Sequence, residues 1–552
     1  MPLKRNTTIN TLKTYITKEI VDALKSLDLP IKEFSLLPPK KDEFGDLSTN
    51  IAMLLARPIN KSPLDIANEI KLNLTEKNMD NIEDITATAP GFINFVIKSS
   101  FYQKKMITII KEGKAFGKDK IGEKKSANVE FVSANPTGPL TVGHGRNAVL
   151  GDTVSNILEW HGYKVHREYY YNDAGRQMRI LGESVASRYF ELINKPFDFP
   201  EQGYQGEYII DIAKQIIDSF GKELEKNDTK FLSEAEKVIF KQIESSLQKL
   251  GIKFDTFTNE KTFYETGAIK KLLEQLKEKK LIFDKDGATW YRATASGAKQ
   301  DKVYIKSTGE PTYRLPDTAY HKDKIDRGFD LIIDVFGADH ADTYPDVLSA
   351  LNAIGLDTNH IKILLYQFVT LIRGGEKVKM STRKANFVTL DDLINELGVD
   401  IVRYFFIMRS MNSHLDFDLD LAKDQSENNP VFYLQYAYAR ICNIIKHGLD
   451  QGYQPSSSFH TKLLDQDNEI KLMKLMSNFP LMMRTALDTL EPQNIAIYLQ
   501  ALAAQFHKFY GTCKVITENK DLTQARLGLI ISTKTILTTG LSILGISAPE
   551  KM

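Results

Sequence analysis

Cysteine is nearly absent from this chain. Its two cysteines, Cys442 and Cys513, lie far apart and have no CxxC partner. Neither a disulfide framework nor a zinc site built on cysteine is therefore expected, and no other metal site is read from the sequence. An excess of charge is missing too, since 72 Lys and Arg against 71 Asp and Glu leave a net +1. That balance excludes a strongly basic nucleic-acid coat and gives no support to DNA binding, although local patches can still steer RNA. The opening residues MPLKRNTTIN hold no apolar signal core, and no run is read as long enough to span a membrane. GxGxxG and Walker loops are lacking as well, which disfavours a dinucleotide dehydrogenase or a P-loop NTPase. What remains is a monomeric cytoplasmic enzyme, long enough at 552 residues for about three or four domains.

What the chain does have is one organising stretch, VEFVSANPTGPLTVGHGRNAVLGD, from Val129 to Asp152. Asn128 to Ala134 reads as a buried strand, and Asn135, Pro136, Gly138 and Pro139 break it into a loop. After Gly143-His144-Gly145 a helix is expected, with Leu150, Val154, Ile157 and Leu158 on one face and Gly162 as its C-terminal cap. Lys164 to Tyr171 reads as the next strand. Strand, glycine loop, helix and strand make half of a doubly wound nucleotide fold, with the loop at the carboxyl edge where ligands bind. Glycines let backbone approach a phosphate, the helix N-terminus offers free N–H groups, and His144 adds a side-chain donor.

The rest of the chain divides around this unit. Residues 1 to about 115 read as a separate α/β module, with a helix over Ile9 to Leu27 and strand character from Thr86 to Ile97. Ser62 is placed as an N-cap before Pro63, and Lys111 to Lys125 reads as a linker. A charged helical region from about Met178 into the 280s reads as an insertion between two halves of the sheet, and strands resume at Asp286 to Ala293, Lys302 to Ile305, Leu331 to Phe336 and Ile361 to Leu371. Gly374-Gly375 then suits a hinge for a basic loop carrying Lys377, Lys379, Thr382 and Lys384. From Leu390 onward the pattern is almost wholly helical. Its stripe of Tyr433, Tyr436, Ala437, Arg440 and Ile441 is read as core rather than a base-stacking surface.

Four words in this order resemble one family. ANPTGPLTVGH (Ala134 to His144) resembles the HIGH-type signature of class I aminoacyl-tRNA synthetases, and KMSTRKAN (Lys379 to Asn386) resembles their KMSKS loop. VEFVSANPTGPL and NDAGRQ (Asn172 to Gln177) narrow the resemblance to arginyl-tRNA synthetase. It extends from FGDLSTNIAMLLA to the terminal APEKM. The implied architecture is multidomain α/β. A tRNA-contacting appendage occupies 1–115, and a doubly wound parallel-sheet catalytic domain 116–389 carries an insertion at about 178–285. A helical stem and anticodon-binding bundle fills 390–552.

The implied reaction joins arginine to its tRNA through an adenylate, with ATP as substrate and Mg2+ accompanying it. Charge grows on phosphate oxygens in the transition state, so catalysis is mostly positioning and cationic stabilisation. The resemblance assigns catalysis to His144, Thr141, Lys379 and Ser381, and ATP contacts to Pro136, Gly143, His144, Gly145, Asp339, His340, Met380, Ser381 and Arg383. It assigns arginine to Glu130, Asn135, Tyr313 and Asp317. Tyr313 and Asp317 are four apart and share a face if helical. Two positions depart from the family pattern: Thr141 stands where the first His of the HIGH-type word falls, and Thr382 where the second Lys of KMSKS falls. They prompt a rival reading, a catalytically impaired tRNA-binding regulator, against which His144, Lys379 and Ser381 argue. Another class I synthetase is the second rival, against which Tyr313, Asp317 and the large helical C-terminal region argue.

Overall fold

The computed structural model describes residues 9–378, 388–454 and 459–552. At its centre five parallel strands lie in the spatial order Ile361–Tyr366, Leu331–Gly337, Ser126–Glu130, Lys164–Tyr171, Thr256–Asn259. Numbered along the chain this is 3-2-1-4-5, the doubly wound arrangement expected. The order reverses between Ser126–Glu130 and Leu331–Gly337, and the carboxyl ends at such a switch point are where doubly wound sheets bind ligands.

Several elements differ from the sequence reading. The first strand stops at Glu130 rather than Ala134 because Val132 and Ser133 take φ of 68° and 45° and turn the chain out of the sheet. A β-branched residue there is rare and must be held by its surroundings. The expected helical insertion does supply the helices Gly175–Leu192, Glu207–Phe220 and Lys230–Lys249, but Thr256–Asn259 then returns as the sheet's edge strand. Four residues are too few to show a period. The strands Ile282–Lys285, Ala288–Tyr291 and Lys302–Ile305 form an antiparallel sheet of their own. Ile361 to Leu371 is two strands, since Val369–Arg373 leaves the central sheet to pair with Leu415–Asp418. Gly374 and Gly375, at φ of 61° and 77°, form the tip of a hairpin with Glu376–Lys377 and are tied by Gly374 N–H to Asp420 at 2.6 Å.

The helix Val142–Trp160 is buried on nearly every side, not on one stripe. It packs on the sheet through Gly151, where a Cβ would lie 2.2 Å from Phe131. On another side Asn156 Nδ2 donates to Ile543 O at 3.0 Å. Its buried Thr153 and Ser155 need no water, because their hydroxyls bond back to Val149 O and Gly151 O.

The N-terminal residues form a four-stranded antiparallel sheet with the helices Ile9–Ser26, Ile51–Ile59 and Pro63–Glu76. Ser62 occupies the N-cap position but its side chain makes no capping bond. The C-terminal part is a helical bundle, apart from the strand Leu415–Asp418. Contrary to the sequence reading, its helix Lys520–Leu544 is long and apolar enough to cross a membrane, yet 72% of its most apolar window is buried inside the protein. It is the bundle's central helix. In the stripe on Pro430–Asp450, Ala437 and Ile441 enter the core, but Tyr433, Tyr436 and Arg440 are only half-buried. They stand at the bundle surface around His507 and Tyr510.

Two buried arginines tie these parts together. Arg146 donates to the carbonyls of Gln367, Ser410 and Ser413. Arg403 donates to Leu544 O and Leu250 O and pairs with Asp152 at 2.6 Å.

Candidate active site

The loop after Glu130 is held by polar contacts along its length. Asn147 accepts Val132 N–H at 2.8 Å, and Ser133 Oγ donates to Glu130 at 2.8 Å while accepting Tyr170 N–H at 3.1 Å. Asn135 accepts Asn172 N–H at 2.9 Å and donates to Gln177 at 3.1 Å, so it joins the first signature word to NDAGRQ. Pro136 is buried, and Tyr208 donates to the carbonyl of Thr137 at 2.9 Å.

At the helix start Thr141 is the N-cap, and with His144 it completes a capping box. Thr141 Oγ1 accepts His144 N–H at 3.4 Å, and Thr141 N–H donates to His144 Nδ1 at 3.2 Å. Because Nδ1 is the acceptor, the neutral imidazole carries its proton on Nε2. Burial pushes the His144 pKa down to about 4, so the ring is a neutral Nε2–H donor throughout the working pH range. The Thr141 hydroxyl caps the helix, and its backbone N–H sets that tautomer. A Cβ on Gly143 would meet nothing closer than 3.7 Å. Gly145 is different: a Cβ there would lie 2.6 Å from Leu390 and 3.1 Å from Phe406, and its N–H bonds Thr141 O. Packing explains that glycine without a ligand.

Across the crevice the helix Arg314–Asp326 presents Asp317, with Tyr313 at its N-cap position. Asp317 N–H bonds Tyr313 O, which puts the two on one face as expected; the Tyr313 side chain is 69% exposed. Asp317 forms no ion pair among the described residues. Burial raises its pKa to about 7; His321 and Lys324 draw it down, and Glu130 and Glu260 push it up.

Glu260 was not legible in the sequence. It follows Asn259 directly at the carboxyl edge, buried, accepting Tyr170 OH at 2.9 Å and Asn172 Nδ2 at 2.8 Å. Its pKa too is raised by burial, and it has no ion pair among the described residues. Two desolvated carboxylates thus face one crevice without a counter-cation. Only the edge strand before it could have pointed to Glu260, and that strand has four residues.

Glu130, expected to contact arginine, is engaged by this protein's own side chains. Its buried carboxylate bonds Lys324 Nζ, which also donates to Asp334 at 2.5 Å. His321 donates Nδ1–H to Asp317 O at 2.8 Å and Nε2–H to Asp334 at 3.1 Å. Both partners are acceptors, so the ring is an imidazolium; burial opposes that charge and Asp334 sustains it, raising its pKa. Asp339 and His340 sit on a short turn after Leu331–Gly337, both more than half exposed, with His340 stacked on Phe336 at 5.3 Å. Lys379, Met380, Ser381 and Arg383, with Thr382 and Lys384, lie outside the described residues.

A doubly wound sheet whose switch point holds a capped His144 helix, with a lysine–serine word downstream, defines a class I aminoacyl-tRNA synthetase. The family of class I (R) tRNA synthetase catalytic domains matches residues 105–403, the arginyl tRNA synthetase N terminal domain 10–97, and the DALR anticodon binding domain 434–552. The arginine–tRNA ligase of Desulfotalea psychrophila is 47% identical over 93% of this chain and 94% of its own length. That of Salinibacter ruber is 45% identical over 98% of this chain and its own whole length. The solved arginyl-tRNA synthetase of Thermus thermophilus shares the fold at a TM-score of 0.76 and 22% identity, covering 98% of this chain and all of its own. The chain belongs to the arginyl-tRNA synthetase family.

Proposed function

We propose that this site activates arginine with ATP and transfers it to the 3′ end of arginine tRNA, with Asp317 and Glu260 receiving the guanidinium. The observation that carries the assignment is the buried Glu260 and the half-buried Asp317, both raised in pKa by desolvation and neither in an ion pair among the described residues. A guanidinium supplies a planar fork of donors and a charge that does not titrate. His144 Nε2–H and the free N–H groups of the first helical turn face the α-phosphate, where negative charge grows as the arginine carboxylate attacks and pyrophosphate leaves. Mg2+ accompanies the ATP phosphates. Lys379, Ser381 and Arg383 close on the same triphosphate from the other side.

The tRNA spans the chain. Residues 1–115 form its appendage, 116–389 the catalytic domain, and 390–552 the stem and anticodon-binding bundle. In the bundle a cavity of about 1050 Å³ lined by Tyr436, Arg440, His447, Tyr510 and Lys514 suits a stacked base beside a phosphate. The proposed working unit is the monomer, in the cytoplasm with its substrates. The test is pyrophosphate exchange with each of the twenty amino acids, with and without tRNA. Arginine alone should support exchange; a better substrate among the other nineteen overturns the reading.

A further inference from the structure

Beneath the pocket, the Lys324 ammonium is fully buried between Glu130 and Asp334 and lies over the Tyr320 ring, 4.2 Å from its centre. Burial alone would lower its pKa, but the two carboxylates hold it up at about 12. Each of its three contacts leads to a different wall of the site. Glu130 closes the first strand and receives the Ser133 hydroxyl, which fixes the left-handed turn into the nucleotide loop. Asp334 receives His321, which in turn donates to the backbone carbonyl of Asp317. Tyr320 stacks on Tyr170 at 4.3 Å, and Tyr170 OH donates to Glu260. One cation thus links the nucleotide loop to both carboxylates of the arginine pocket.

We propose that Lys324 is a positioning residue for adenylate formation, holding the arginine pocket and the nucleotide loop in register. It touches neither substrate. The reacting carboxylate oxygen must meet the α-phosphate with sub-ångström accuracy, and Lys324 braces the two surfaces that carry the reactants. Arginine is anchored on helix Arg314–Asp326 and at Glu260, whereas ATP is anchored on the Glu130–His144 segment. The inference rests on the arginine-pocket assignment proposed above.

The test compares Lys324→Arg, Lys324→Met and the charge-matched double variant Lys324→Met/Asp334→Asn in arginine-dependent pyrophosphate exchange. The double variant keeps the net charge of the cluster and leaves Glu130 with the Ser133 hydroxyl as its printed partner, so it decides the matter if the single variant fails to fold. Lys324→Met and the double variant should raise the arginine KM ~10-fold or more and lower kcat by a similar factor, with the ATP KM within about twofold of wild type. Lys324→Arg, which restores a cation to both carboxylates, should recover most of the loss. An unchanged arginine KM in the folded double variant, with only thermal stability reduced, overturns the proposal. So does an equal rise in both KM values. Failure of the pocket assignment would show separately, as wild-type arginine KM in Asp317→Asn with Lys324 intact.

Discussion

Thr141 and Thr389 pair in an isolated antiparallel bridge, and each is the N-cap of a helix that flanks a signature word. Thr141 begins the helix Val142–Trp160 with His144 as its capping partner; Thr389 begins Leu390–Leu397 with Asp392 as its own. Leu390 N–H donates to Leu140 O at 2.8 Å, and Leu390 packs where a Cβ on Gly145 would stand. Backbone hydrogen bonds therefore fasten the chain at Thr389 and Leu390 to the start of the histidine word.

This makes Thr141 a test of positioning. Thr141→Ala removes the cap acceptor and should cost ~1 kcal/mol of stability, read as a lower Tm. It should also lower the adenylation kcat, because His144 Nδ1 loses the Thr141 hydroxyl 3.3 Å away and keeps only the backbone N–H. Thr141→Ser should behave as wild type in both. Full kcat in Thr141→Ala would show that the ring is held without the hydroxyl.

His144 should act as a neutral donor. With its pKa near 4 and Nδ1 occupied by Thr141 N–H, its protonation does not change between pH 6 and 9 on any scale that matters. His144→Ala should lower the adenylation rate by ~10²–10³-fold with tRNA affinity preserved. The pH profile of the remaining activity should keep the wild-type shape. A lost limb in that profile would mean that His144 titrates during turnover.

Arg403 concerns stability. Its guanidinium is 1% exposed and bonds Asp152, Leu250 O and Leu544 O, joining the central helix, the insertion and the end of the bundle's main helix. Removing it strands a buried carboxylate and two carbonyls. Arg403→Met should lose ~3–5 kcal/mol, and Asp152→Asn less, because hydrogen bonding survives. Equal denaturation midpoints for wild type and Arg403→Met would contradict this.

How far the sequence could be read depended on the range of the interaction. Four of the five parallel strands and the helix Val142–Trp160 were legible because local period and glycine punctuation set them. Asp317 and His144 were legible through their words. Glu260 was not, because a four-residue edge strand places it beside Asp317 from 57 positions away in sequence. The inward turn of Glu130 was hidden for the same reason: its partner Lys324 sits 194 residues on. Gly145 looked like a phosphate glycine, and only the packing of Leu390 and Phe406 shows why no side chain fits there.

Asp317 makes the sharpest prediction, since its charge state and its ligand are linked. Burial raises its pKa to about 7, and only the carboxylate can receive a guanidinium. Above that pKa the group is already ionised, so arginine affinity should be flat with pH. Below it, binding must first expel a proton, and the arginine KM should rise ~10-fold for each further pH unit. Glu260, whose pKa burial also raises, should add a second break. The ATP KM should show neither. Asp317→Asn removes the charge and the break together: its arginine KM should be raised by ~10²-fold or more at every pH, because a desolvated guanidinium loses its charged acceptor. Glu260→Gln should raise it less, since Tyr170 and Asn172 keep the side chain in place. Steady-state arginine KM from pH 5.5 to 9 in the three proteins decides the matter. A wild-type profile flat through pH 7, or a Asp317→Asn enzyme that still shows the break, would place the guanidinium elsewhere.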